Sequence, residues 1–363
     1  MKILIAADLV PTSVTSQDFN LGNIDNLFGK VKSIADKSDR FIVNLECALT
    51  ASENAIKKIG PNLKGPIGAA KTIKKLGVTD VALANNHVFD YGIEGIRDTM
   101  AALEDAGLPY FGVGENDTDS RRPHFFEVDG KKIGVVNVCE HEYTYALPNR
   151  IGANPFDPFL TMQDIRSAKA QSDFLIVLYH GGKEYSPYPS PRLYNLCHEM
   201  VYCGADVVIT QHSHCIGCYE QFEGAHILYG QGNFNFSYPT YSQRRPCWKT
   251  GLLVTLDVTD KISIDFTPIY DTGHGCDLAE GEHAEGIMAE FRERNKVLAD
   301  GGWREEWENF CKSDEFIRFT KIANGTYDDP EKEELFAHLL DCEAHTDVWR
   351  VICKTWNHTN EMQ

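Results

Sequence analysis

The sequence predicts a layered α/β protein, and two features of the chain support this. Short apolar runs recur along it, and amphipathic helical patterns lie between them, an alternation typical of layered α/β architectures. The apolar runs are nearly continuous, as expected for strands that are buried on both faces. They occupy residues 2–7, 41–44, 81–84, 133–138, 174–179 and 207–210. These strands are therefore expected to form the interior of the molecule.

Two of the helical segments have clear boundaries. Apolar residues three and four positions apart run from Ile93 to Leu103, and Gly107 is placed where such a helix stops. A second helix is expected to begin at Ser190, a capping residue followed by a proline, and to end at Gly204. Both helices fit the alternation with the strands.

The pattern changes after about residue 251. Residues 251–258 and 262–268 predict a β-hairpin around Thr259 and Asp260, so the sheet is expected to be mixed or doubled. From about residue 278 the chain has a helical pattern rich in Glu, Lys and Trp, with a further helix beginning at Pro330. We therefore divide the chain into a domain of residues 1–276 and a helical C-terminal extension of residues 277–363. The extension is expected to act as a cap or as a surface for a protein partner.

Composition excludes several classes of function. The 363 residues carry a formal net charge of −18 at pH 7, which argues against nucleic acid or an anionic membrane as the main partner. An anionic small molecule or polymer can still bind such a protein where metal cations dominate the field of the site. No part of the sequence approaches about 18 consecutive apolar residues, so we expect no transmembrane segment.

The cysteines and the start of the chain indicate a cytoplasmic protein. The sequence contains 11 cysteines without the spacing of a disulfide framework, so we expect them to be reduced and buried. The apolar run after Met1 is too short for the core of a signal peptide and predicts a buried first strand instead. Both observations fit a cytosolic enzyme.

Polar side chains follow five of the predicted strands, at the point where each strand ends. The carboxyl ends of neighbouring strands in an α/β protein face one crevice, so these side chains are expected to converge. Carboxylate, amide and imidazole groups are common ligands of divalent metals in proteins. The candidate metal ligands are Asp8, Glu46, Asn86, His180, His212 and His214.

Some of these residues also have an ordinary structural explanation. Asp8 taken alone could be a solvated turn residue, and a lone histidine is usually a packed core residue. Three histidines at strand ends favour metal binding, and in an extended segment His212 and His214 would point the same way. Glu46 lies two positions past a buried strand, where a charge is rarely placed without a partner.

A candidate general acid follows the strand at 81–84. The imidazole of His87 can donate a proton to a leaving oxygen, and Asp90, three residues later, can orient and charge that imidazole. Asn85 and Asn86 precede it, and Asn85 could instead cap the following helix. We favour a catalytic role for His87 and Asp90.

Two further patterns are weaker. Cys215 and Cys218 form a C-x-x-C pair, but a redox pair would open a helix and a zinc ribbon would need a second such pair. We therefore expect a structural role, with a Cys/His zinc cluster as the open alternative. The segment Glu140-His141-Glu142 follows another strand and could border the same crevice. The sequence contains no phosphate-binding glycine loop and no nucleophilic-serine elbow.

Five short motifs occur in a characteristic order. They are Asn44-Leu45-Glu46, Ala84-Asn85-Asn86-His87 with Asp90-Tyr91-Gly92, His180-Gly181-Gly182 with Glu184-Tyr185, Gln211-His212-Ser213-His214 and Gly230-Gln231-Gly232-Asn233-Phe234-Asn235-Phe236. In these motifs the chain resembles the bacterial capsule-synthesis CapA-type proteins of the poly-γ-glutamate synthesis group, a branch of the calcineurin-like metallophosphatase superfamily. The resemblance covers about residues 2–270.

The resemblance implies a four-layer α/β/β/α sandwich with a centre of two divalent metal ions. One ion would take Asp8, Glu46 and His214, with Glu46 placed to bridge, and the other would take Asn86, His180 and His212. His87 would act as the acid over the scissile bond, and Asn85, Glu184 and Asn233 are assigned to the substrate. The ligand types suit Mn, Fe, Zn or Mg alike.

The chain departs from the wider superfamily at two of these positions. Asp8 is followed by Leu9 and Val10, where other metallophosphatases have Asp-x-His, so one metal site is expected to lack a ligand. Glu46 replaces the usual bridging aspartate and is one methylene longer.

The sequence supports two hypotheses on function. The first is a metal-dependent hydrolase that acts on phosphoester bonds through metal-activated water. The alternative is a CapA-type component of poly-γ-glutamate or capsule polymer biosynthesis, which acts by amide hydrolysis or by non-enzymatic binding and assembly.

Overall fold

The computed structural model describes residues 1–140, 143–324 and 330–359. Strands and helices alternate along the first part of the chain, and helices alone follow the last strand of the described residues. The strands are β1 Lys2–Leu9, β2 Arg40–Leu45, β3 Ala48–Leu49, β4 Lys64–Gly65, β5 Asp80–Ala82, β6 Tyr110–Phe111, β7 Val113–Gly114, β8 His124–Val128, β9 Lys131–Cys139, β10 Gly152–Ala153, β11 Phe174–His180, β12 Val207–Gln211, β13 Ile216–Phe222, β14 Ala225–Gln231, β15 Asn233–Asn235, β16 Thr250–Val258, β17 Ile262–Asp271 and β18 Cys276–Leu278.

The helices flank these strands and form the C-terminal region. They are α1 Ser16–Leu21, α2 Ile24–Phe28, α3 Lys32–Ala35, α4 Ala69–Leu76, α5 Gly92–Asp105, α6 Asp117–Ser120, α7 Leu160–Lys169, α8 Pro191–Tyr202, α9 Pro239–Arg244, α10 Gly281–Ala299, α11 Trp303–Lys312, α12 Asp314–Asn324, α13 Pro330–Asp341 and α14 Glu343–Thr359. Among the described residues, no helix combines the length and the apolar character that crossing a membrane requires.

Two large mixed sheets form the centre of the molecule. The first has the strand order β18-β17-β16-β1-β2-β5-β6, with β15 also paired to β1, and the second has the order β13-β14-β12-β11-β9-β8. In the first sheet β1, β2, β5 and β6 are parallel, and in the second β9, β11, β12 and β14 are parallel. The predicted hairpin is present, because β16 and β17 pair antiparallel from Val258 and Ile262 outwards.

The two sheets pack face to face over an apolar core. The side chains that meet there come from alternate positions of the parallel strands, which explains why these strands are apolar on both faces. They include Ile3, Ile5, Ile42, Ile133, Ile176, Leu178, Val207 and Ile209, all fully buried. Ile287 and Phe291 of α10 join the same core, so the helix that follows β18 packs directly onto the sandwich.

Helices cover the outer face of each sheet. On the first sheet, Leu4 and Phe41 pack with Phe19, Leu76 and Leu103 from α1, α4 and α5. On the second sheet the outer apolar side chains pack with helices α7 and α8. They are Val177 and Val208 with Ile165, Cys197 and Met200. The order helix, sheet, sheet, helix confirms the predicted four-layer α/β/β/α sandwich.

The helix boundaries agree with the capping signals in the sequence. Ser190 accepts a hydrogen bond from the backbone N–H of Leu193 at 3.1 Å, as a capping residue does. Gly107 and Gly204 follow α5 and α8 with φ of 64° and 112°, the left-handed conformation that favours glycine after a helix. The two predicted helices are therefore confirmed.

The C-terminal helices have a small core of their own. Trp307, Cys311, Phe319, Leu339 and Val348 are buried together, and Ile352 joins them. The predicted domain boundary at residue 276 lies inside β18, and α10 continues the sandwich core. The division of the chain into two domains stays a prediction.

Candidate metal centre

The candidate site lies at the carboxyl ends of parallel strands from both sheets. Asp8 is near the end of β1, and Glu46 directly follows β2. His180 is the last residue of β11, and His212 directly follows β12. Because the two sheets face each other, their strand ends meet at one edge of the sandwich. The structure thus brings together side chains that are far apart in the sequence.

Two groups of side chains have the spacing needed to hold a metal ion. Asp8, Glu46 and His214 form one group, and Glu46, His180 and His212 form the other, with the ligand atoms of each group within 4.8 Å of one another. Glu46 belongs to both groups, and all five residues are buried. Asn86 extends the second group, because its Oδ1 lies 2.9 Å from Nε2 of His180.

Unsatisfied buried atoms show that these residues fit a metal ion. Neither carboxylate oxygen of Glu46 has a hydrogen-bond partner among the described residues, and the same holds for Nδ1 of His212. A buried carboxylate without a partner is costly, whereas a cation between these groups would satisfy it. The mixture of carboxylate, imidazole and amide donors also suits divalent metals.

Burial and neighbouring charges shift the titration of the same groups. Burial and the charge of Asp8 raise the pKa of Glu46 to about 8. Burial lowers the pKa of His180 to about 4 and that of His212 to about 3, which keeps both imidazoles neutral and able to act as ligands. Burial opposes protonation of His214, but Glu46 and Asp8 raise its pKa to about 10. A bound cation would replace that proton.

The loop that carries His212 and His214 is turned rather than extended. The two residues have φ of 88° and 52°, a conformation that residues other than glycine adopt at a cost of about 1–3 kcal/mol. The expectation that they lie in an extended segment is therefore wrong, because β12 already ends at Gln211. As a result of this turn, His212 lies in the ligand group of His180, and His214 lies in the ligand group of Asp8.

Asn44 holds several members of the site and was missed by the sequence analysis as a site residue. Its Nδ2 donates a hydrogen bond to Oδ1 of Asp8 at 2.8 Å and lies 3.2 Å from Nδ1 of His180. Its Oδ1 accepts from Nδ2 of Asn85 at 3.0 Å. The available signal was the position of Asn44 two residues before Glu46, in the first of the five motifs.

His87 and Asp90 lie together at the mouth of the site. Nδ1 of His87 is 2.6 Å from Oδ2 of Asp90, whose other oxygen accepts a hydrogen bond from Nζ of Lys58 at 2.5 Å. The backbone N–H of Leu63 also donates to Asp90 at 2.6 Å. Burial acts to raise the pKa of Asp90, but His87 and Lys58 hold it below its ordinary value. Lys58 comes from an irregular loop, and no sequence pattern marked it.

The three residues assigned to the substrate differ in position. Glu184 lies in the wall of the cleft beside His87 and His212. Asn85 donates to Asn44 and to the backbone oxygen of Leu45, and its Oδ1 accepts from the N–H of His87.

Asn233 lies behind one of the candidate ligands. Its Oδ1 accepts a hydrogen bond from Nδ1 of His214 at 2.9 Å, and its Nδ2 donates to the backbone oxygen of Trp248. Substrate contact by Asn85, Glu184 and Asn233 stays a prediction.

A cleft of about 270 Å³ opens onto these groups. Asn86, His87 and His212 line this cleft, together with Lys58 and Glu184. Burial acts to raise the pKa of Glu184, but the charge of Lys183 and of nearby histidines lowers it to about 2, so this wall of the cleft carries a negative charge. The cleft gives a ligand access to the histidine and carboxylate cluster.

Of the weaker sequence patterns, Glu140 and the pair Cys215 and Cys218, which the structure describes, are not part of either candidate ligand group. Glu140 is buried and accepts hydrogen bonds from the hydroxyl of Tyr179 at 2.6 Å and from the backbone N–H of Gly182 at 2.9 Å. His141 and Glu142 lie outside the described residues. Cys215 and Cys218 are both buried, and the thiol of Cys215 contacts the backbone oxygen of Ser186 at 3.1 Å.

The sequence is similar to known proteins over the part that contains this site. Residues 2–238 match the family described as bacterial capsule synthesis protein PGA_cap. The capsule biosynthesis protein CapA of Bacillus anthracis is 28% identical over 245 residues, which are 65% of this chain and 60% of that protein. The PGA biosynthesis protein CapA of Bacillus subtilis is 30% identical over 222 residues, 58% of this chain and 57% of that protein.

Solved structures give a more distant likeness. A hypothetical protein from Thermus thermophilus aligns with a TM-score of 0.48 at 17% sequence identity, over 75% of this chain and 100% of that one. The family match begins before Asp8 and ends after Asn233, so it includes every candidate metal ligand. The chain therefore belongs to the bacterial capsule synthesis protein family PGA_cap.

Proposed function

We propose that this protein is a metal-dependent hydrolase that acts on phosphoester bonds. The observation that carries the proposal is the buried carboxylate of Glu46, which lacks a hydrogen-bond partner among the described residues and is shared by two groups of candidate ligands. Hydrolases with two metals hold their ions about 3.5–4 Å apart, and a carboxylate shared by both ligand groups is suited to that spacing. The open cleft, which is lined by the candidate ligands Asn86 and His212, provides room for a substrate.

The candidate ligands divide into two sets around Glu46. Asp8, Glu46 and His214 would hold one divalent ion, and Glu46, Asn86, His180 and His212 would hold the other. When bound, two such ions supply an activated water and neutralise the negative charge of a phosphoryl group. Asn44 keeps Asp8 and His180 in place through its amide nitrogen.

His87 is suited to give a proton to the leaving oxygen. Its Nδ1–H is held by the carboxylate of Asp90 at 2.6 Å, which fixes the ring and leaves Nε2 for the substrate. Asp90 is itself fixed by Lys58 and by the N–H of Leu63. This chain of contacts orients the imidazole at the wall of the cleft.

The first experiment measures metal content and hydrolysis together. The purified protein should retain divalent metal and, with added Mn²⁺, hydrolyse p-nitrophenyl phosphate or bis-p-nitrophenyl phosphate. Glu46→Gln should lose both, because it removes the shared carboxylate. Glu220→Gln is the matched control, since Glu220 also contacts a histidine, at 2.7 Å from Nε2 of His198, but outside the site. A protein that retains no metal and hydrolyses neither ester would contradict the proposal.

The second experiment tests the acid. His87→Asn should lower kcat by about 10²- to 10⁴-fold, the usual contribution of a general acid. The loss should be smaller for esters with a good leaving group such as p-nitrophenolate, which needs no proton. Metal content should stay unchanged, because His87 is outside both ligand groups. An equal loss for all leaving groups would assign His87 another role.

A role in polymer synthesis is the second candidate function. The family match and the CapA relatives, whose names refer to capsule and PGA biosynthesis, support it. The same centre would then act on an amide bond of poly-γ-glutamate, or the cleft would bind the polymer without cleaving it. Comparing the release of glutamate from poly-γ-glutamate with the hydrolysis of phosphoesters separates these reactions. A pure binding protein would keep its function in His87→Asn.

A further inference from the structure

The C-terminal helices supply part of the wall of the cleft. Arg318 of α12, His338 of α13 and His345 of α14 line it, opposite the residues of the sandwich. All three lie beyond the family match, which ends at residue 238. This part of the cleft, the C-terminal wall, is therefore built by residues that the family match does not cover.

A buried network of charged groups holds the last helix in this position. Asp347, two residues after His345, accepts hydrogen bonds from Oγ of Ser190 at 2.6 Å and from Nε of Arg192 at 2.8 Å. Arg192 also pairs with Glu140, which accepts from the backbone N–H of Gly182, two residues after His180. The helix is thus tied to the same strand end that carries a candidate metal ligand.

The side chains that line the cleft carry a net positive charge, unlike the chain as a whole. The cationic side chains that line it are Lys58, Lys183, Arg244, Arg245 and Arg318. Among the described residues that line the cleft, only Glu184 is acidic. The whole chain, by contrast, has a net charge of −18. A local concentration of positive charge in an acidic protein indicates an anionic ligand.

His345 shows that the C-terminal wall also contains an unsatisfied polar atom. The residue is only 7% exposed, and its Nδ1 has no hydrogen-bond partner among the described residues. Phe319 and His338 pack against its ring at centroid distances of 5.9 and 4.8 Å and fix its orientation. Because His345 lines the cleft, a ligand bound there would lie next to this ring.

We propose that Arg318, His345 and the neighbouring cations form a second anion subsite, so that the substrate is a small phosphoester with an additional anionic group. That group is a phosphate or a carboxylate, which the same guanidinium and imidazole donors can bind. The inference rests on the proposed function for the first anionic group, which binds at the metal centre. The C-terminal helices add Arg318 and His345 to the lining of the cleft, and these two side chains would bind the second anionic end of the ligand.

Binding of non-hydrolysable probes tests the subsite separately from catalysis. The probes are methylenediphosphonate and phosphonoacetate, each with two anionic ends, and methylphosphonate, with one. Each is titrated calorimetrically into the protein of residues 1–363 loaded with Mn²⁺. Arg318→Gln should weaken the two-ended probes by about 10- to 100-fold, the loss expected for a charge-assisted hydrogen bond. Methylphosphonate should change by much less. The two phosphonates distinguish a second phosphate from a carboxylate.

A control variant and a second variant of the C-terminal wall show whether a loss of probe affinity is specific to the subsite. Arg292→Gln removes the same charge from an exposed position in α10 and should leave all three affinities unchanged. His345→Asn is a second variant of the C-terminal wall, for use if Arg318→Gln does not fold. It should also weaken the two-ended probes more than methylphosphonate. Equal weakening of all probes, no weakening, or no binding would overturn the subsite. If the preference is found but no phosphoester is hydrolysed, the proposed reaction fails and the subsite stands.

Discussion

At the scale of single residues, the hydrogen bonds that orient the candidate metal ligands are expected to matter for metal binding as much as the ligands themselves. Asn44 is 1% exposed and uses both ends of its amide, donating towards Asp8 and His180 and accepting from Asn85. An amide is suited to this place because it carries no charge that would compete with the metal. Residues that orient ligands in this way commonly change metal affinity strongly.

Replacing this amide tests its role. Asn44→Ala should lower the affinity for Mn²⁺ by about 10- to 100-fold, because Asp8 and His180 lose the contact that orients them. Titration of the metal-free protein measures this directly. Asn154→Ala is the matched control, since Asn154 is 2% exposed and donates to the backbone oxygen of Asn137 instead of to a candidate ligand. Equal affinity in the two variants would contradict the role of Asn44.

Sequence reasoning located strand-end residues better than supporting ones. Asp8, Glu46 and His180 could be predicted to converge because each follows a recognisable buried strand. Asn44 lies inside such a strand and is therefore easily taken for a core position. Lys58 reaches Asp90 from a loop without periodicity, and only the folded chain brings the two together at 2.5 Å.

At the scale of elements, most of the buried parallel strands could be predicted, whereas the edge strands of the second sheet could not. β9, β11 and β12 lie within a residue or two of the predicted runs, because strands buried on both faces have no polar interruption. In the second sheet, β8, β13 and β14 were not predicted from the sequence. β8 and β13 are edge strands with charged and polar residues on their open sides, which removes the apolar signal.

One polar contact joins the two sheets near such an edge. Asp80 of β5 accepts a hydrogen bond from Nε2 of His124 of β8 at 2.7 Å, and Arg40 is 3.4 Å away. The ring of His124 stacks on Phe111 with centroids 4.8 Å apart. Burial acts to raise the pKa of Asp80, but the hydrogen bonds from His124 and Thr79 hold it below its ordinary value of 3.8.

This contact predicts a pH-dependent contribution to stability. Since the pKa of Asp80 is lower in the folded than in the unfolded protein, its contribution is present above pH 3.8 and is lost as the pH falls through the folded-state value. At pH 7, Asp80→Asn should lower the free energy of unfolding by about 1–3 kcal/mol. The difference from the wild type should shrink below pH 3.8 in urea unfolding experiments.

The control for this prediction is an exposed aspartate. Asp260→Asn changes the same charge in the turn between β16 and β17, where the side chain is fully exposed, and should leave stability unchanged at every pH. If the difference in free energy of unfolding between Asp80→Asn and the wild type grows towards acid pH, the predicted direction of the pH dependence is wrong.

At the scale of the whole molecule, the sandwich and the C-terminal helices meet at the cleft. The sandwich contributes the candidate ligands and His87, and the helices contribute Arg318 and His345. The contact between the C-terminal helices and the sandwich could not be predicted from the sequence, because a helical pattern does not indicate which distant surface the helix packs against. The polar residue Asp347 marks the contact only once its partners, Ser190 and Arg192, are seen.

The buried contacts of Asp347 predict that the last helix and the cleft are coupled. Asp347→Asn should lower the free energy of unfolding by about 1–3 kcal/mol, since Arg192 keeps Glu140 but loses one of its two carboxylate partners. Amide exchange should increase in α14, and the affinity for methylenediphosphonate should fall with it, because His345 is displaced. Asp341→Asn changes an exposed aspartate of the same region. It should leave the free energy of unfolding, the amide exchange of α14 and the diphosphonate affinity unchanged. Faster exchange in α14 without any loss of diphosphonate affinity would show that the helix does not form part of the binding site.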